Sequence, residues 1–319
     1  MPTALERSGD FSQTLTSTGV LIPIKDPSTG APYPGNKMPT SQISPLGSAI
    51  MNLFPLPNTT DATGRRQYNA QYQFNRDQPH EDRILRVDYN IAPKDISFVR
   101  LIQDYEADRG VGALLGGGGG WGQFASSWSL QSAGFVATKI HTFSPNLINE
   151  LSVGVNTSTH FAAPLDPATF AATNELPALK GANGQTISLP HFFSGNYLNI
   201  LPNISFATNG AQSAAQGVTA PPGFSFDSRW PLQAVDTLTN VVNNLTWIKG
   251  RHSTKFGFYY EHVNRPISVY STYNAAGSYW FGSDTANPYD TGYAYSNLLS
   301  GAVQAYGEDN VETDQPCPL

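Results

Sequence analysis

The stretch Asn243 to Val263, NNLTWIKGRHSTKFGFYYEHV, limits what this chain can fold into more than any other. It consists of two alternating runs joined by a short basic turn. In the second run Thr254, Phe256, Phe258 and Tyr260 fall on one face, and Ser253, Lys255, Gly257, Tyr259 and Glu261 fall on the other. A period of two places successive side chains on opposite sides of a strand. In the first run Val241, Leu245 and Trp247 share a face opposite Asn240, Asn244 and Thr246, with Val242 and Asn243 breaking the pattern. Each strand is roughly the ~10 residues that cross a bilayer at a tilt. A water-soluble sandwich has the same period, so repetition along the chain has to decide.

The pattern does repeat. From Asp82, the residues Leu85, Val87, Tyr89 and Ile91 alternate with Arg86, Asp88 and Asn90, and Ala92 to Asp95 form a tight turn. Ile96 to Glu106 continue as a strand; with Arg100, Asp104 and Glu106 on its polar side, Val99, Leu101 and Tyr105 point outward. Trp128 to Phe143 read as a third strand, with Leu130, Val136 and Ile140 assigned to its apolar face. Ser144, Pro145 and Asn146 turn the chain into Leu147 to Thr157, where Leu151, Val153 and Val155 oppose Glu150, Ser152, Gly154 and Asn156. The connections alternate between short turns and long loops, the asymmetry of outer-membrane barrels. The expected fold is therefore all-β: a partial transmembrane antiparallel β-barrel, a meander of hairpins with short periplasmic turns and long extracellular loops.

Composition agrees with this reading. Charged residues make up only 13% of the 319 residues, while Gly (29), Pro (24) and aromatics (12%) are plentiful. A net charge of -6 gives no footprint for nucleic acid, which needs clustered Lys and Arg. The single cysteine, Cys317, excludes an internal disulfide framework. No run approaches the ~20 apolar residues of a membrane helix. The start, MPTALERSGDF, lacks the apolar core of a signal peptide, so an export signal is expected outside this sequence.

Three segments follow. Residues 1–81 are rich in proline and glycine, an extracellular-loop-like appendage with one short helix: Ser44 caps it, Pro45 starts it, Leu46, Ile50 and Leu53 line one face, and Pro55 stops it. Residues 82–307 carry the strands, a long irregular span from His160 to Pro231, a further strand within Tyr270 to Trp280 and a short helix at Tyr293 to Leu299. Residues 308–319 form an unpatterned tail.

Residues that carry chemistry are sparse. Gly116 to Gly120 precede Trp121 with no Lys-Ser or Lys-Thr after them, which describes a surface loop better than a phosphate cradle. His80, His141, His160, His191, His252 and His262 show no metal-ligand spacing, and no metal or other cofactor is expected. Ser225 lacks the second glycine of a nucleophile elbow. Asp104 and Glu106 share a strand face, a solvated rim rather than a glycosidase pair. No catalytic residue is expected. Trp121, Phe192, Phe193, Tyr197, Phe224, Phe226 and Trp230 either stack on a sugar or pack the loops together. Arg86, Asp88, Asn90, Arg100, Glu150, Lys255 and Glu261 are the candidates for a polar lumen, where they line a solute path or are merely solvated and paired.

Six stretches add a family resemblance: ERSGDFSQ (Glu6 to Gln13), IPIKDPSTGAPYPGNKMPTSQISP (Ile22 to Pro45), LFPLPN (Leu53 to Asn58), RVDYNIAPKD (Arg86 to Asp95), FSPNLINELSVGVN (Phe143 to Asn156) and IKGRHSTKFGFYYE (Ile248 to Glu261). In this order the chain resembles part of the barrel of an Oar-like TonB-dependent outer-membrane receptor. The resemblance implies a location in outer-membrane lipid and uptake of a large solute, an oligosaccharide or a metal chelate. It implies energy from the TonB coupling system, acting through a plug domain that this sequence does not contain. It also places residues 1–81 outside the cell and the turns at Pro93, Pro145 and Gly250 in the periplasm. On this reading the chain is an internal piece of a barrel, inactive in transport by itself. Two rivals remain: a secreted or surface β-sandwich that binds carbohydrate through its loops, and an enzyme of β-helix or propeller type, whose constant repeat period and acid–base pair this chain does not show.

Overall fold

A computed structural model of the protein describes residues 1–114, 116, 121–189, 192–193, 199–207, 221–227, 230–265, 267–269 and 276–309. The strands are β1 (Arg76–Asp77), β2 (His80–Ala92), β3 (Asp95–Val111), β4 (Ala125–Ser144), β5 (Leu147–Pro164), β6 (Asn203–Ser205), β7 (Leu232–Lys249), β8 (His252–Asn264), β9 (Ile267–Val269), β10 (Ser278–Trp280) and β11 (Ala305–Gly307). The helices are α1 (Ala4–Arg7), α2 (Pro45–Leu53), α3 (Pro167–Asn174) and α4 (Ala294–Ser300). Six long strands form an antiparallel meander, β2 on β3, then β4, β5, β7 and β8, with β1 and β9 extending it. Two-residue turns join β2 to β3, β4 to β5 and β7 to β8; Gly250 in the last has φ +59, which favours glycine. β4, β5 and β7 run 20, 18 and 18 residues, well beyond the ~10 needed to cross a bilayer. Their surplus projects past the bilayer at the loop end.

The register makes the sheet two-faced. One row across it reads Val87, Val99, Ala137, Val153, Val241 and Tyr260; the next reads Leu85, Leu101, Phe135, Val155, Thr239 and His262. Their large apolar side chains stay uncovered: Val87 is 56% exposed and Tyr260 58%. A soluble sandwich would bury this face under a second sheet. One step toward the loops the row becomes Arg83, Gln103, Ala133, Thr157 and Thr237, so the apolar band ends there. From Leu147 to Val155, at ~3.4 Å per residue and a tilt of ~40°, the band spans about 20 Å, close to the ~25 Å of outer-membrane barrels.

Two strand details differ from the sequence reading. Leu130, Val136 and Ile140 lie on the inner face, level with Glu106, Arg100 and Ile96, while Phe135 and Ala137 point outward. Leu130 is inward because it packs under the loop cluster described below. Asn243 points outward with Leu245 and Trp247, and its amide exchanges hydrogen bonds with Asn149 at 3.0 and 3.1 Å. The pair satisfies itself, so an apparent break in the pattern carries no unpaired amide to the lipid face.

The remaining residues build a cap. Residues 1–54 and 276–299 share one hydrophobic core around Phe11, Ile24, Met51, Phe54, Tyr295 and Leu298. Residues 276–307 were grouped with the strands in sequence but pack here instead. α2 forms where expected, with Ser44 accepting from the Gly47 amide at 3.3 Å. It runs so close to α4 that a Cβ on Gly47 would lie 2.0 Å from the Leu298 carbonyl oxygen. The helix predicted at Tyr293 is α4, with Tyr293 at its cap. Of the predicted strand Tyr270 to Trp280 only Ser278–Trp280 is seen as strand, in a small sheet with β6 and β11; residues 270–275 lie outside the described residues. So do residues 310–319 of the predicted tail.

Candidate functional site

The motifs near the start of the chain prove to be architectural. Thr3 and Glu6 form a capping box on α1, and Glu6 also accepts from Thr14 Oγ1 at 2.9 Å. Arg7 donates to the Phe54 carbonyl at 2.6 Å, and Asp10 pairs with Lys37 at 2.7 Å. That ammonium holds the Asp10 carboxyl down at about 2. In PYPGNK, Gly35 and Asn36 both take positive φ, which turns the Asn36 amide into the core. There it donates to the carbonyls of Phe11 and Ile22 at 2.7 and 2.9 Å and accepts from the Ile24 amide at 2.7 Å. Three backbone groups on two chain segments hang on one side chain. Burial in this core pushes the Tyr279 phenol up to about 12 and the Tyr293 phenol well above its usual range.

The cap leans over the inner face of the sheet. Leu232 and Ala234 of β7, Ala162 of β5 and Trp128 of β4 all lie on that face at the loop end, and they are buried with Phe124, Phe170, Phe226 and Trp230. Phe226 and Trp230 stack at 5.3 Å, and Phe170 lies 5.0 Å from Trp230. Trp121 packs on Phe54 at 4.9 Å and edge-on to Phe224 at 6.2 Å. Of the aromatics singled out in the loops, Trp121, Phe224, Phe226 and Trp230 are therefore packing residues, whereas Phe192 (77%) and Phe193 (40%) are exposed. Tyr197 and His191 lie outside the described residues, as do four of the five glycines Gly116 to Gly120. Ahead of the glycines, buried Asp108 accepts from Arg76 through both carboxylate oxygens, from Gln78, and from the Leu114 amide at 2.7 Å.

Beneath this roof lies a polar wall. Its register brings together all seven lumen candidates. Arg86 stands opposite Arg100; it pairs with Asp88 at 2.7 Å and lies 4.1 Å from the centre of the Phe98 ring. Asn90 faces Ile96, and Glu150 lies between Ile140 and Asn244. Lys255 faces Thr246, while Glu261 faces Asn240 and accepts from the Tyr259 hydroxyl. At the loop end His80 Nε2 is 2.9 Å from Asp104 Oδ1 and 3.6 Å from Asp82 Oδ2. Their three potential ligand atoms lie within 4.8 Å of one another, an exposed hydrogen-bonded cluster at the mouth of the wall. Spacing along one strand hides it, because Asp104 comes from the neighbouring strand. Asp104 is thus partnered by a histidine, not paired with Glu106.

Three cross-strand pairs on this wall were not read from sequence: Gly134 with Asn156, Gly154 with Asn240, and Gly257 with Asn244. A Cβ on Gly154 or Gly257 would lie 2.6 or 2.5 Å from the facing Asn Oδ1. The asparagines therefore lie flat over the glycines, and the wall between Arg100 and Glu261 is smooth, hydrogen-bonding and without bulky side chains. Such a surface slides past or seats a polar body.

Comparison with known proteins gives one clear result. A family described as "Outer membrane beta barrel domain" matches residues 1–316. No curated protein and no solved structure matches the chain.

Proposed function

Since the chain belongs to the outer membrane β-barrel domain family and sits in the outer membrane, we propose that it forms part of the wall and outer cap of a TonB-dependent receptor of the Oar-like type. The cargo is a large polar solute, an oligosaccharide or a metal chelate. The observation that carries this reading is the pairing of a lipid-matched outer face with a smooth polar inner wall roofed by the chain's own long loops. A simple anchor needs the first and has no use for the second. The residues of the wall position and pass cargo: Arg86, Arg100, Lys255 and Glu261 offer charge-assisted hydrogen bonds, and none acts on a bond. Energy enters from the TonB system through the plug domain of such a receptor.

The reading is tested in cells that express the full gene product. Loss of the gene should abolish growth on one oligosaccharide or one chelated metal, and loss of the TonB protein should reproduce that defect. If every such solute still enters when the gene is lost, or if entry survives loss of TonB, the receptor assignment falls and only a barrel remains. The sandwich alternative gains nothing from the structure, because its apolar face would have to be covered and this one is exposed.

A further inference from the structure

The outer face carries a charge asymmetry. At the loop end its cations are matched: Arg83 pairs with Glu81 at 2.7 Å and Arg109 with Asp77 at 3.4 Å. At the turn end Lys139, His141, Lys249 and His252 all point outward by register, and Lys94 and Arg251 sit in the turns beside them. Asp95 is the carboxylate on this rim, and it is taken by Lys139 at 3.1 Å and His141 at 2.8 Å. Among the described residues no carboxylate lies within ion-pair distance of Lys94, Lys249 or Arg251. Lys249 Nζ instead lies 5.4 Å from the centre of the Trp247 ring, and His141 packs edge-on to Phe143 at 4.4 Å. From β3 to β8 the rim crosses four strand spacings of ~4.8 Å, about 19 Å. Basic groups over exposed aromatics, at the lower edge of an apolar band, match an anionic headgroup layer above acyl chains.

We infer that this rim binds anionic phospholipid headgroups, with Lys249 and Arg251 holding a phosphate beside Trp247. The inference rests on the proposed orientation, turns toward the periplasm, so that the lipid belongs to the inner leaflet. It is tested with the protein in bilayers of phosphatidylcholine alone or mixed with phosphatidylglycerol, either lipid brominated, reading tryptophan emission at low salt. Subtracting the Trp247→Phe variant isolates the rim signal. Brominated phosphatidylglycerol should quench Trp247 more strongly than brominated phosphatidylcholine. A basic side chain at such a surface contributes ~1 kcal/mol, so the double variant K249Q/R251Q should lose roughly 30-fold of that preference, while R83Q keeps it. Equal quenching by the two lipids, or a preference that survives K249Q/R251Q, overturns the inference. Orientation is read separately with Gly250→Cys on a Cys317→Ser background and a membrane-impermeant thiol reagent. Protection in intact cells and labelling after lysis support it; labelling in intact cells overturns the leaflet assignment without touching the barrel reading.

Discussion

The strand wall and the cap are held together by opposite means. In the cap the large side chains disappear from solvent: Phe11, Phe54, Trp230 and Leu298 are all essentially inaccessible. In the wall the large side chains are the exposed ones, and the interior of the sheet is hydrogen bonds. The cap is thus stabilised by burial, at ~1.5–3 kcal/mol per large side chain. The wall satisfies its backbone between strands and leaves its apolar face for lipid, which a membrane requires. The same amino-acid types therefore mean different things in the two regions. A phenylalanine in the cap is core, whereas one on β8 is a lipid contact.

The largest effect should come from the cap. Phe54→Ala removes a ring that touches Trp121, Phe206 and Phe224 and should cost about 3–5 kcal/mol of local stability. Hydrogen exchange should show lost protection at α2 and α4 with the β4–β5 ladder unchanged; equal loss in both would mean that the two regions fold as one. Next, Val153→Arg on the lipid face should cost about 2–4 kcal/mol in bilayer refolding titrations, whereas Ser152→Arg on the inner wall should cost far less. Equal costs would erase the distinction between the faces. Smaller still, Asn149→Ala should cost about 1 kcal/mol, and Asn243→Ala should add little to it, because each amide is the other's partner. Additive losses would mean that the two amides are not coupled.

The smallest effect is one of pH. Asp10 titrates at about 2 beside Lys37, below the ordinary value of 3.8. A lowered carboxyl contributes stability above its unfolded value and loses it as pH falls. The cap should therefore loosen slightly between pH about 4 and about 2, followed by tryptophan fluorescence, and Asp10→Asn should flatten that window.

Where one strand alternates cleanly, its facing was legible: β2, β5 and β8 point as Leu85/Arg86, Val153/Ser152 and Phe258/Lys255 indicate. β4 was not, because it has apolar residues on both parities, Phe135 and Ala137 as well as Val136 and Ile140, and only pairing with β3 decides. Asn243 was unreadable for the same reason, its partner lying 94 residues away. The lumen candidates followed from parity alone, so all seven fell on one wall. The Gly–Asn pairs and the His80–Asp104 contact needed register, which no single strand contains. The cap was the least legible, since its contacts join the two ends of the sequence, as where the Ser44 amide donates to the Leu299 carbonyl at 2.7 Å.

β4 also offers the most direct test of the two-faced wall. Spin labels at Phe135→Cys, Val136→Cys and Ala137→Cys, on a Cys317→Ser background in bilayers, report collision with oxygen dissolved in lipid or with a water-soluble relaxant. Positions 135 and 137 should meet oxygen and position 136 the aqueous reagent. If position 136 meets oxygen and its neighbours meet water, or if all three behave alike, the wall is not the one described.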